Sequence, residues 1–216
     1  MNNFDLIRTY LKFENEGDFY FLQIIKRRKD NPDLSKSEKL IDNFYIYSLE
    51  EYDNLKDKII ILCHLHNARA YFRLNRRNAE VIGLQTLKRV TDLIINKNHR
   101  AIANIYPSVC GEFHQDPEKK WILDLDGTFA EDKIRFYATL ERLKDHPFMS
   151  KRALPKIYGE IPTKNGCHII ISPCDAHILD QELQKVSYEI SESRGFPQKD
   201  TWDLHKDSPT LLYMQK

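Results

Sequence analysis

Trp121-Ile122-Leu123-Asp124-Leu125-Asp126 decides how this chain is read. The apolar residues follow the breaker Asp116-Pro117, run on without helical spacing and end in acid, which describes a strand buried on both faces. Residues i and i+2 of a strand point to one face, so Asp124 and Asp126 present two carboxylates side by side. Anions so placed repel. A cation or the protonation of one of them relieves the repulsion, and a divalent metal such as Mg²⁺ suits hard carboxylate oxygens. The plainer alternative is an acid pair that ends a strand and enters a turn at Asp126-Gly127.

Downstream, Glu131 to Leu143 is helical by period and Lys156 to Glu160 is extended. Cys167 to Ser172 is a second strongly apolar strand, closed by Pro173, and Asp175 to Ser193 is a helix that stops at Gly195. A last extended segment runs from Thr201 to Met214, with Lys206-Asp207-Ser208-Pro209 as an internal turn. Strand, helix, strand, strand, helix, strand is the ferredoxin-like, or RRM-like, βαββαβ order, with the first and third strands adjacent at the sheet centre. Upstream, Phe19 to Ile25 and Phe44 to Tyr47 read as strands about the turn Asn31-Pro32-Asp33. Ser48 before Glu50 and Glu51 marks a helix start. Ala70 to Asn75 is a short strand, Ala79 to Asn96 an amphipathic helix and His99 to Val109 another. The chain is therefore read as α/β (α+β), with an N-terminal α/β lobe over 1–115 and an RRM-like lobe over 116–216.

With 216 residues and 41% hydrophobic content the chain can bury a core, which excludes a disordered class. The net charge of +1 names no partner and argues against holding duplex nucleic acid by phosphate attraction alone. Local basic clusters at Lys26 to Lys29 and Arg73 to Arg77 leave salt-sensitive contacts open. The start has neither a basic nor an apolar targeting region and no run long enough to cross a bilayer, so a cytoplasmic protein without membrane contact is expected. Cys63, Cys110, Cys167 and Cys174 show no disulfide framework and are read as reduced thiols.

Ile122-Leu123-Asp124-Leu125-Asp126-Gly127-Thr128 resembles the first motif of the haloacid dehalogenase-like phosphatases. That resemblance implies Asp124 as a nucleophile in a Mg²⁺-dependent phosphatase. A second resemblance covers more of the chain. Archaeo-eukaryotic primases and primase-polymerases carry an acidic DxD on the first strand of an RRM-like unit, a small-polar-x-His motif on a later strand and a third Asp on the last. Asp124-Leu125-Asp126 is similar to the first, Thr163-Lys164-Asn165-Gly166-Cys167-His168 to the second, and Asp203 in Thr201-Trp202-Asp203-Leu204-His205 to the third.

The second resemblance implies a nucleotidyltransferase that works on nucleotides and single-stranded nucleic acid, alongside a replication partner protein. Asp124, Asp126 and Asp203 would bind Mg²⁺ or Mn²⁺, as in-line displacement at a triphosphate requires. Thr163, Lys164, Asn165, Gly166 and His168 would hold the nucleotide phosphates through turn N–H groups, an ammonium and an imidazole. Arg73 and Arg76, where a strand meets the next helix, would contact the nucleic-acid backbone. A third reading, outside enzymology, is an RRM-like nucleic-acid or protein-binding module whose acids are incidental.

Overall fold

Strand β1 (Asp18–Arg27) buries Phe19 and Phe21 on one face and Tyr20, Leu22 and Ile24 on the other, so the sheet built around it must be covered twice. The structure is a computed structural model that describes residues 1–114, 116–126, 130–145, 155–194 and 202–215. Within them the chain forms two compact units, one of residues 1–117 with 209–216, the other of residues 118–208.

In the first unit β1 pairs antiparallel with β2 (Glu38–Ile46) on one side and with β3 (Arg69–Phe72) on the other. The short β4 (Arg77–Asn78) pairs with the start of β1. Helices α1 (Phe4–Arg8) and α2 (Leu49–His66) cover the Tyr20 face, where the Phe4, Tyr52 and Phe72 rings meet with centroids 5.7 and 5.8 Å apart. Ser48 caps α2 by accepting from the Glu51 N–H at 3.0 Å, and Glu51 reaches back to the Tyr47 N–H at 2.7 Å. These two bonds satisfy donors that a helix start leaves unpaired. Helices α3 (Ala79–Ile95) and α4 (Ile105–Glu112) cover the other face through Ile82, Val109 and Cys110 against Phe19 and Phe21. A 3₁₀ turn over His99–Asn104 replaces the first part of the helix predicted from His99 to Val109.

The second unit runs β5 (Trp121–Asp126), α5 (Ala130–Arg142), β6 (Ile157–Pro162), β7 (Gly166–Ile171), α6 (Ala176–Arg194), β8 (Trp202–His205). Its sheet order is β6-β7-β5-β8, antiparallel throughout, with the first and third strands adjacent at the centre. That is the ferredoxin-like arrangement predicted from element order. Leu123, Leu125, Cys167, Ile169 and Ile171 form one apolar face and pack on Leu140 of α5 and Leu179 and Leu183 of α6. The alternate residues of the central strands therefore occupy the face away from these helices.

The tail departs from expectation. The sequence predicts one extended segment from Thr201 to Met214 inside the RRM-like lobe, but the turn at Lys206 to Pro209 separates strands of different sheets. β8 pairs with β5, whereas the last strand, β9 (Thr210–Met214), pairs with β3 in the first unit. Leu211 and Leu212 are buried in β9, and β3 offers it an unpaired edge. Residues 209–216 thus belong to the first unit, and the second is an insertion between α4 and β9. No described helix is long and apolar enough to cross a membrane.

Candidate active site

Because β5 is central, its residues Ile122 to Leu125 have a partner on both sides. Asp124 stands opposite His168 of β7 and opposite Asp203 of β8. Directly opposed residues of an antiparallel pair share a face, with Cβ atoms about 4.5–5.5 Å apart. Leu123 and Leu125 point to the helices, so Asp124, His168 and Asp203 project together from the other face. His205 joins them two residues beyond Asp203.

The four side chains form two acid–imidazole pairs. His168 Nε2 lies 3.3 Å from Asp124 Oδ1, and His205 Nε2 lies 3.5 Å from Asp203 Oδ2. The environments differ: Asp203 is 74% exposed at its side chain and Asp124 30%. Burial acts to raise the Asp124 carboxyl, but the hydrogen bond and charge of His168, aided by His205, outweigh it and hold the group below the ordinary aspartate range. Asp124 Oδ1 is nonetheless sealed from solvent without a well-directed hydrogen bond. A buried, ionised carboxylate oxygen in that state is suited to accept a cation.

The Lys164 turn is a tight hairpin tip. Thr163 N–H donates to the Gly166 carbonyl at 3.0 Å, and Lys164 and Asn165 are exposed. Gly166 is opposite Asp126, so the tip adjoins the end of β5 at which the acids emerge. Thr163 Oγ1 is buried and makes no hydrogen bond among the described residues. The Asp126 side chain lies outside the described residues, as do Gly127, Thr128 and Thr201.

The donors at Asp124 and Asp203 are hard carboxylates of the kind Mg²⁺ and Mn²⁺ take, and the Oδ1 of Asp124, which lacks a well-directed hydrogen bond, fits that use. Among the described residues no three His, Cys, Asp or Glu side chains are grouped closely enough to hold a metal ion.

The arginines are placed differently from their sequence reading. Arg76 is buried at 5% exposure, with Asp18 at 3.1 Å, Glu14 at 3.0 Å and Asp116 at 3.8 Å from its guanidinium. Its backbone N–H also donates to Asp116 Oδ2 at 2.9 Å. These carboxylates occupy the group that was expected to meet nucleic acid, and a phosphate would have to displace them. Arg73 is half-buried beside Gly111, where an added Cβ would stand 3.6 Å from its Nη2. Arg77, fully buried, donates to the Cys110 carbonyl at 2.9 Å and to the Asn75 carbonyl, which satisfies the end of α4.

Sequence reasoning did not pick out Glu160, which accepts from Tyr137 Oη at 2.5 Å and pairs with Lys133 on the helix-covered face. An acid in an otherwise apolar extended run was its signal.

β5 has antiparallel neighbours on both sides. Compared with protein-family models, curated proteins and solved structures, the chain matches none of them.

Proposed function

We propose that the βαββαβ unit is the core of a metal-dependent nucleotidyltransferase of primase-polymerase type, acting on nucleotides and single-stranded nucleic acid. The observation that carries this reading is the register: Asp124 lies between His168 and Asp203 on one face of a ferredoxin-like sheet. Asp124 and Asp203, with Asp126, would hold Mg²⁺ or Mn²⁺. Bound there, the metal would supply charge neutralisation at a triphosphate and lower the pKa of an attacking hydroxyl. The hairpin tip from Thr163 to Gly166 would bind phosphate oxygens, with the unsatisfied Thr163 hydroxyl as one donor and His168, two residues along β7 from the tip, as another. His168 also orients the Asp124 carboxylate.

The test is extension of a labelled chain on a single-stranded template with nucleotides and Mn²⁺. Activity lost in both Asp124→Ala and Asp203→Ala, with the fold retained by circular dichroism, supports the reading. Loss in Asp124→Ala with Asp203→Ala fully active would sink it, because Asp203 is the residue that the register adds. Hydrolysis of an aryl phosphate, abolished in Asp124→Asn, would favour the phosphatase instead. Nucleic-acid binding that survives the double alanine substitution, with no turnover of either kind, would leave a binding module.

A further inference from the structure

Helix α3 has two apolar sides, and its own unit uses one. Ile82 is buried against α4, and Arg89 on the same side pairs with Glu112. At 100° per residue, Leu84, Leu87, Thr91, Ile94 and Ile95 gather in a stripe about 100° wide on the opposite side. The four apolar members are 60%, 65%, 52% and 71% exposed. Leu84, Leu87, Thr91 and Ile94 follow the three-then-four spacing of a helix that packs lengthwise on another helix.

The charges around the stripe specify the occupant. Glu80 stands at its beginning, Lys97, His99 and Arg100 follow its end, and Lys88 and Asp92 flank its middle, all exposed. This pattern complements itself when reversed. Laid antiparallel on a second α3, with Leu84 against Ile94 and Leu87 against Thr91 of the second copy, Glu80 comes to the second copy's basic turn at Lys97 to Arg100. Lys88 then falls within about 3 Å, measured along the axis, of the level of the second copy's Asp92. Opposed helix dipoles favour the same orientation. An isologous contact of this kind closes on itself as a two-fold dimer and leaves no open end.

We propose that the outer face of α3 is a homodimer interface, formed by antiparallel packing of α3 from two copies of this chain. Sedimentation velocity of the full chain over a concentration series tests it. The expected result is a dimer that Leu87→Glu converts to monomer, with the dissociation constant raised roughly a hundredfold and an unchanged circular dichroism spectrum. Glu80→Lys alone and Lys97→Glu/Arg100→Glu alone should each weaken the dimer, and mixing the two variants should restore it as a heterodimer. A chain that stays monomeric up to about 100 µM overturns the proposal. So does a dimer indifferent to Leu87→Glu, or charge variants that fail to rescue one another.

Discussion

Replacing Arg76 with Met removes a buried cation and retains most of the aliphatic stem. Three acids then lose their partner, and their exposures set the size of the effect. Glu14 is 54% exposed and its surface pairing contributes little, about 0–1 kcal/mol. Asp18 and Asp116 are only 5% and 3% exposed, so each loses the Arg76 cation where water does not replace it. Breaking a buried pair in this way costs about 3–5 kcal/mol. Asp18 keeps the N–H groups of Glu14 and Asn15 at 3.1 and 2.8 Å, and Asp116 keeps the Arg76 N–H, which moves the expectation to the lower end, about 3 kcal/mol. At a urea slope of about 1–3 kcal/mol per molar, the midpoint for the first unit should fall by roughly 1–3 M. Both tryptophans, Trp121 and Trp202, belong to the second unit, so far-UV circular dichroism should register the loss while tryptophan fluorescence follows the other unit separately. Arg76→Met/Asp18→Asn/Asp116→Asn should regain most of the stability, because no uncompensated charge stays buried. A single variant within about 1 kcal/mol of the parent would refute the reasoning and return Arg76 to the list of phosphate contacts.

Other expectations are independent of that one. The Asp124 carboxyl should titrate below an ordinary aspartate in a carbon-detected NMR titration, and His168→Gln should move its midpoint upward, since burial then acts with less opposition. A carboxyl depressed in the folded state contributes stability above its unfolded pKa, about 3.9, and the contribution is lost as pH falls through the folded value; His168→Gln should therefore flatten the acid limb of the stability curve. Ser48→Ala should cost about 1 kcal/mol through the lost α2 cap, measured by urea unfolding. Leu179→Ala, at a fully buried position between α6 and the second sheet, should cost about 2–5 kcal/mol and shift the tryptophan transition.

The legible parts of the fold were those fixed by local pattern. The apolar runs at Trp121 to Asp126 and Cys167 to Ile171, with helical periods between them, sufficed to order the second sheet, whereas Asp203 was singled out by the primase resemblance and set opposite Asp124 only by the register. Ser48 announced α2 because a cap is a short-range hydrogen bond. The environment of Arg76 was not legible in this way. Whether a guanidinium meets water or carboxylate depends on where Asp18 and Asp116 arrive, and they arrive from distant points of the chain. The tail was misread for a similar reason: β8 and β9 flank a turn like a hairpin, yet each finds a better-covered edge elsewhere. Pairing is a choice among edges, which residue spacing alone does not encode.

The return of β9 also sets a timetable. Phe72 of β3 pairs with Thr210 of β9, so the first sheet waits for its last strand until the whole inserted unit has left the ribosome. At about 5–20 residues per second that delay is on the order of ten seconds, during which the β3 edge and the Leu211 and Leu212 pocket stand open to wrong partners. The inserted unit carries β5 to β8 in one continuous stretch, and β8 ends only four residues before β9 begins, so its sheet can close just ahead of that last strand. Its folding draws the two ends of the insertion together and shortens the loop that β9 must close, so the order of synthesis favours the insert acting as the clasp that completes its host.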